Sequence, residues 1–176
     1  KTEKISDQAE IISPKLEKEK PLDKKLPPSF RFIPAGMYKV TSPSDEKKVP
    51  SRFQNRYIEG KQNVLIMATN GDTWIAYKKD NEDVKQFILK QGKNILIRGE
   101  EVLLRLGNAN ITNVFLNNNP LEIKTQSGVK SMVFPKSSRK KYRIPLFVPD
   151  QNGKIISSSE WMDLNDNLSN SEENTN

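Results

Sequence analysis

From Asn63 onward the chain changes character abruptly. Val64, Leu65, Ile66, Met67 and Ala68 form an apolar run of strand length, closed by Asn70-Gly71, a dipeptide whose backbone suits a tight β turn. Short segments rich in β-branched and aromatic residues then recur at a spacing of roughly ten positions, as sandwiches and barrels require. They are Trp74 to Lys78, Val84 to Lys90, Asn94 to Arg98, Val102 to Leu106, Val114 to Asn117, Leu121 to Thr125, Lys130 to Phe134 and Arg143 to Val148. Val102, Leu104 and Leu106 alternate with Leu103 and Arg105, and Ile95 and Ile97 with Leu96. Such period-two alternation marks strands with one buried face and a second that is partly covered. Both sets of positions in Val64 to Ala68 are apolar, which predicts a central strand. The pattern predicts an all-β domain over residues 63–149, a small antiparallel β-sandwich, Ig-like or barrel-like. Gly92, Gly107, Gly128 and Asn117 to Asn119 fall between strands, where turns demand residues tolerant of positive φ, so they are read as structural.

Outside this region the pattern is looser. Phe30, Phe32, Tyr38, Phe53 and Tyr57 bring aromatics to residues 30–62, while Pro34, Pro43 and Pro50 interrupt regular elements. This predicts an irregular arm folded against the domain, with one short strand near Met37 to Thr41. Residues 1–29, rich in Lys, Glu and Pro, offer too little apolar surface to offset chain entropy and read as a flexible linker. Within it the spacing of Ile5, Ala9 and Ile12 gives barely two helical turns before Pro14, too short for a stable isolated helix. Residues 150–176 are polar and predicted to be a disordered tail, with Trp161 docking on the domain. Arg143 to Val148 is the element whose register nothing local fixes: edge strand, strand swapped onto a second copy, and free segment all remain open.

Composition narrows the chemistry. Cysteine and histidine are both absent, which removes Ser-His-Asp and Cys-His nucleophile systems, the usual zinc sites and any imidazole acid or base. Carboxylate-pair glycosidases and oxygen-ligated metals pass that filter. The chain starts at Lys1 and holds neither the roughly eighteen apolar residues of a membrane span nor a signal-peptide pattern. This piece is therefore expected to be soluble, with its location set by something other than these residues.

The net charge of +7 raises the question of nucleic acid. Residues 1–63 carry +5, 64–135 carry +2, 136–150 carry +4 and 151–176 carry −4. The foldable segment is nearly balanced and the excess sits in the flanks, unlike the clustered groove of a duplex reader. No nucleic-acid partner is expected through this segment.

A family likeness runs through the same residues. Asp72-Thr73-Trp74, Gly92, Leu104-Arg105-Leu106-Gly107-Asn108-Ala109, Val114, Asn117-Asn118-Asn119-Pro120-Leu121, Gly128-Val129 and Phe134-Pro135 occur in the order of the RodZ C-terminal domain, which the chain resembles over about residues 62–136. Its most specific element is Leu-Gly-Asn-Ala after a hydrophobic strand. One departure is that the family's Asn-Gly-x-Pro is Asn118-Asn119-Pro120 here; Asn tolerates left-handed positions, so the hairpin is expected to survive. The resemblance implies a cytoplasmic helix-turn-helix domain contacting the actin-like protein MreB, one inner-membrane span, a linker that residues 1–29 suit, and this domain outside the membrane, in the periplasm. It implies partners in the cell-elongation and wall-synthesis complex, and neither a catalytic residue nor a cofactor. The alternative is a carbohydrate-binding β-sandwich module of an unrelated envelope protein, followed by a glycosidase and a basic nucleic-acid binder.

Trp74 is the first candidate contact residue, either a plug of the sandwich, which the area of an indole favours, or a stacking surface for a sugar ring or protein. Lys136, Arg139, Lys140, Lys141 and Arg143 surround Tyr142; this run is a solvated loop or a face for anionic head groups or an acidic wall polymer. Asp80, Asn81, Glu82 and Asp83 form an oxygen-rich turn without the spacing of a calcium loop. Glu100 and Glu101 are adjacent, and on a strand they would face opposite ways, poor geometry for an acid and base pair.

Overall fold

The computed structural model describes residues 30–172; the linker read over 1–29 and the last four residues of the tail lie outside it. The strands are β1 (Arg31–Phe32), β2 (Lys39–Val40), β3 (Gln62–Ala68), β4 (Thr73–Lys79), β5 (Lys85–Leu89), β6 (Asn94–Gly99), β7 (Val102–Leu106), β8 (Thr112–Leu116), β9 (Asn119–Glu122), β10 (Lys130–Phe134), β11 (Arg143–Ile144), β12 (Phe147–Pro149) and β13 (Ile155–Ser157). Helix α1 (Ser51–Gln54) lies in the arm and α2 (Ser158–Glu172) follows β13. Two antiparallel sheets make the sandwich, one of order β10-β7-β4-β5 and one of order β2-β9-β8-β3-β6. β3, apolar on both faces, is flanked by β6 and β8 as a central strand must be.

Alternation decides what each strand buries. From one sheet Ile75, Leu104, Leu106, Met132 and Phe134 point inward; from the other Val64, Ile66, Ile97 and Val114 meet them in a single cluster. Met37 and Tyr38 of the arm enter the same core. Tyr38 packs its ring 4.8 Å from Phe134 and donates its hydroxyl to the Val133 carbonyl.

The outer faces are apolar too, and the flanks cover them. Leu65 and Phe115 point away from the core on the five-stranded sheet, and Val49 and Phe53 of the arm close over them as a second cluster. On the four-stranded sheet the outward Ala76, Leu103 and Val133 are buried, and the C-terminal residues Leu146 and Phe147 join their cluster. β11 pairs with β1, and β12 with β13, so the two ends of the described chain meet in one cap. Phe30 completes it with an edge contact to Trp161, centroids 5.3 Å apart.

Three sequence expectations change here. Arg143 to Val148 is two strands, because Pro145 offers no amide to a ladder and the chain turns there. Residues 150–172 are not a disordered tail: a turn at Asp150 leads into β13 and α2. The helix is set by Ser157 and Glu160. The Glu160 carboxylate accepts from the Ser157 amide and hydroxyl, while the Ser157 hydroxyl accepts from the Glu160 amide, a reciprocal cap of the first turn. Finally, Glu100 and Glu101 lie in the turn between β6 and β7 rather than on a strand, and both face one cleft.

The turns follow their residue types. Asn117 and Asn118 both adopt positive φ, 50° and 67°, between the paired residues Leu116 and Asn119, so the hairpin holds with Asn where the family has Gly. The Leu-Gly-Asn-Ala element joins β7 to the core. The Gly107 amide donates to the Trp74 carbonyl at 2.8 Å, and a Cβ at Gly107 would sit 3.1 Å from that of Trp74, so a larger residue would need the two strands to give by a few tenths of an ångström.

Candidate interaction surfaces

Trp74 is not the plug of the sandwich. Thr73, Ile75 and Tyr77 take the inward positions of β4, so the residue between them faces out, and Trp74 is 36% exposed. Tyr38, Tyr77 and Phe134 are among the aromatics buried in the core instead. Ile88 stands directly across from Trp74 on β5 and is 56% exposed. On the other side comes Gly107, with no side chain, and then exposed Val129, which precedes the Lys130 partner of Leu106. An apolar stripe therefore crosses the four strands at one end of the sheet. The next row carries Gln86, Ala76, Arg105 and Ser131, polar at three of four positions. An indole beside hydrogen-bonding side chains suits either a protein contact or a sugar ring.

The basic run forms a tight 3₁₀ segment, Lys136–Lys141, and most of its cations have internal partners. The Lys136 ammonium lies 4.7 Å above the Tyr38 ring, Arg139 donates to the Ile33 carbonyl at 3.4 Å, and Lys141 pairs with Glu101 at 3.2 Å. Arg143 lies 4.7 Å over the ring of Phe32, its partner across the β1–β11 ladder. Lys140 is exposed. Tyr142 is half-buried and donates its hydroxyl to Glu101; burial first, and then that carboxylate, push its own titration up. The run is thus neither a free loop nor a plain charged patch. It stitches the cap to the domain and leaves Arg143, Lys140 and Phe32 outward.

Between sheet and cap lies a polar cleft of about 470 Å³, lined among others by Lys78, Asp80, Glu101, Tyr142, Ser159 and Glu160. The Lys78 ammonium, its side chain only 13% exposed, donates to Glu160 of α2. Burial pushes the Glu160 carboxyl up, but hydrogen bonds from Lys78 and Ser157 outweigh it and hold it below the usual range. Glu101 behaves alike: burial raises it, and donors from Ser138, Tyr142 and Lys141 bring it down. A general acid needs the opposite, a carboxyl kept protonated near neutrality. These two carboxylates are anchors of the cap.

The oxygen-rich turn is spoken for as well. The Asp80 carboxylate accepts from the Glu101 amide, Glu82 pairs with Lys79 and Lys85, and Asp83 with Lys154. Among the described residues no three ligating side chains converge on a metal position, and no helix is long and apolar enough to cross a membrane.

Sequence reasoning missed Phe32, which it placed among the aromatics packed on the domain, and Glu160, which Ser157-Ser158-Ser159-Glu160 would have flagged as a helix start. The surfaces define an all-β sandwich domain clothed by its own flanks, with contact groups on one sheet and on the cap. Residues 67–132 match the family model of the RodZ C-terminal domain, so over that stretch the chain is similar to this family, and the match supports a RodZ-like protein. That domain is a structural element of cell-shape proteins, not known as catalytic, and a scaffold role fits it. No curated protein and no solved structure matches the chain.

Proposed function

We propose that this chain is the extracytoplasmic part of a single-span inner-membrane protein of the cell-elongation machinery. Its domain acts by contact with proteins of the wall-synthesis complex, without turnover. The observation that carries the reading is the match of residues 67–132 to the RodZ C-terminal domain. The exposed stripe of Trp74, Ile88 and Val129 supports it, since aromatic and aliphatic side chains left uncovered beside a polar row are the usual anchors of a protein interface.

One observation favours a second reading, a carbohydrate-binding module. Trp74 lies outward beside Gln86, Arg105 and Ser131, the company a stacked sugar ring requires. Capture from crosslinked bacterial envelope, with the full chain as bait and Trp74→Ser and Ile88→Ser as comparators, separates the two. Wall-synthesis membrane proteins recovered by the unaltered chain and lost with both variants are expected. Wall polymer recovered alone, with no protein partner, would replace the scaffold reading with the module.

A further inference from the structure

We propose that the cap carries a docking face for an anionic bilayer surface, built by Phe32 and Arg143 with Arg139 and Lys140 of the adjoining segment. Phe32 is 67% exposed, more than any other large apolar side chain noted among the described residues. It stands in the two-residue β1–β11 ladder, so its position is fixed by backbone pairing and not by a loop. Arg143 lies over its ring at 4.7 Å, and Arg139 reaches the carbonyl of Ile33 that follows it. Residues 136–143 hold five cations and no acid. The neighbouring carboxylates are already taken, Glu101 by Lys141 and Tyr142, and Glu160 by Lys78.

Cations alone would serve any polyanion. The ring decides for a bilayer: an exposed aromatic flanked by guanidinium groups finds an apolar phase just below a layer of phosphates there, whereas a soluble acidic polymer offers it none. The face also lies where residues 1–29 join the domain. It is independent of the scaffold reading, which would stand if the face failed.

The test is co-sedimentation of the full chain with vesicles of phosphatidylcholine alone and of phosphatidylcholine mixed equally with phosphatidylglycerol, with soluble polyphosphate as a separate arm. Binding to the mixed vesicles only is expected, lost in large part as salt shortens the screening length from ~10 Å at 0.1 M to ~3 Å at 1 M. Lys140→Ser, at a position without an internal contact, is expected to weaken binding about fivefold, as one cation at a charged surface does. Phe32→Ser is expected to weaken it roughly tenfold, for partial burial of the ring, while leaving polyphosphate binding unchanged. Absence of binding to the mixed vesicles overturns the proposal. So does a Phe32→Ser protein that binds them as well as the unaltered chain, which would assign the face to acidic polymers.

Discussion

Replacing Lys78 and Glu160 by alanine, singly and together, measures what holds α2 to the sheet. The pair joins positions 82 residues apart. Side-chain exposures of 13% and 38% place it between a surface ion pair and a buried one. At an effective dielectric of about 20 the gross attraction at contact is ~4 kcal/mol, most of it offset by desolvation of the ammonium. Fully exposed pairs leave about 0.2–1 kcal/mol; here a coupling of about 1–2 kcal/mol is expected, a change of roughly 3–8 °C in Tm. Urea unfolding read by tryptophan fluorescence supplies the four stabilities of the cycle. Trp161 packs on Phe30 inside the cap, so a Trp74→Phe background isolates its signal. A coupling below about 0.3 kcal/mol, the usual error of additivity, would mean that α2 is not held by this pair.

Acid should loosen the same cap. Glu101 and Glu160 are both held below their ordinary value of 4.5, so their contribution is complete above that pH and lost as pH falls through the lower folded values; Trp161 fluorescence is expected to change there before the main unfolding step. Leu103→Ala removes an outward side chain that the cap buries and is expected to cost about 2–5 kcal/mol in urea unfolding, while Ile88→Ser, on the bare half of the same face, stays within about 0.5 kcal/mol. Asn63 is buried, its carbonyl accepting from the Ile58 amide and its amide donating to the Ile58 and Lys61 carbonyls. Asn63→Ala strands these groups and is expected to cost about 1–3 kcal/mol, measurable as a lower urea midpoint.

Strands between Gln62 and Phe134 were legible because each is short, alternating and bounded by turn residues, and Val102 to Leu106 and Lys130 to Phe134 are read to the residue. The cap was not. Pro145 breaks an apolar run that otherwise reads as continuous, and β11 and β1 are two-residue ladders, too short to carry a period. α2 has a polar sequence whose start is announced only by its capping residues. Trp74 failed for a different reason. The size of an indole argued for burial, but the parity of β4 had already committed Ile75 and Tyr77 to the core. The basic run drew attention by its charge, and the partners of Arg139 and Arg143 lie over 100 residues away along the chain, which no local pattern encodes.

The meeting of both chain ends in the cap has a mechanical consequence. Tension applied through residues 1–29 enters at Phe30 and is borne first by the two-residue β1–β11 ladder, before either main sheet is loaded. The longer ladders β3–β6 and β4–β7 lie behind it, with six and five paired residues. Pulling therefore parts Phe32 from Arg143 first, while the longer ladders of both main sheets stay paired.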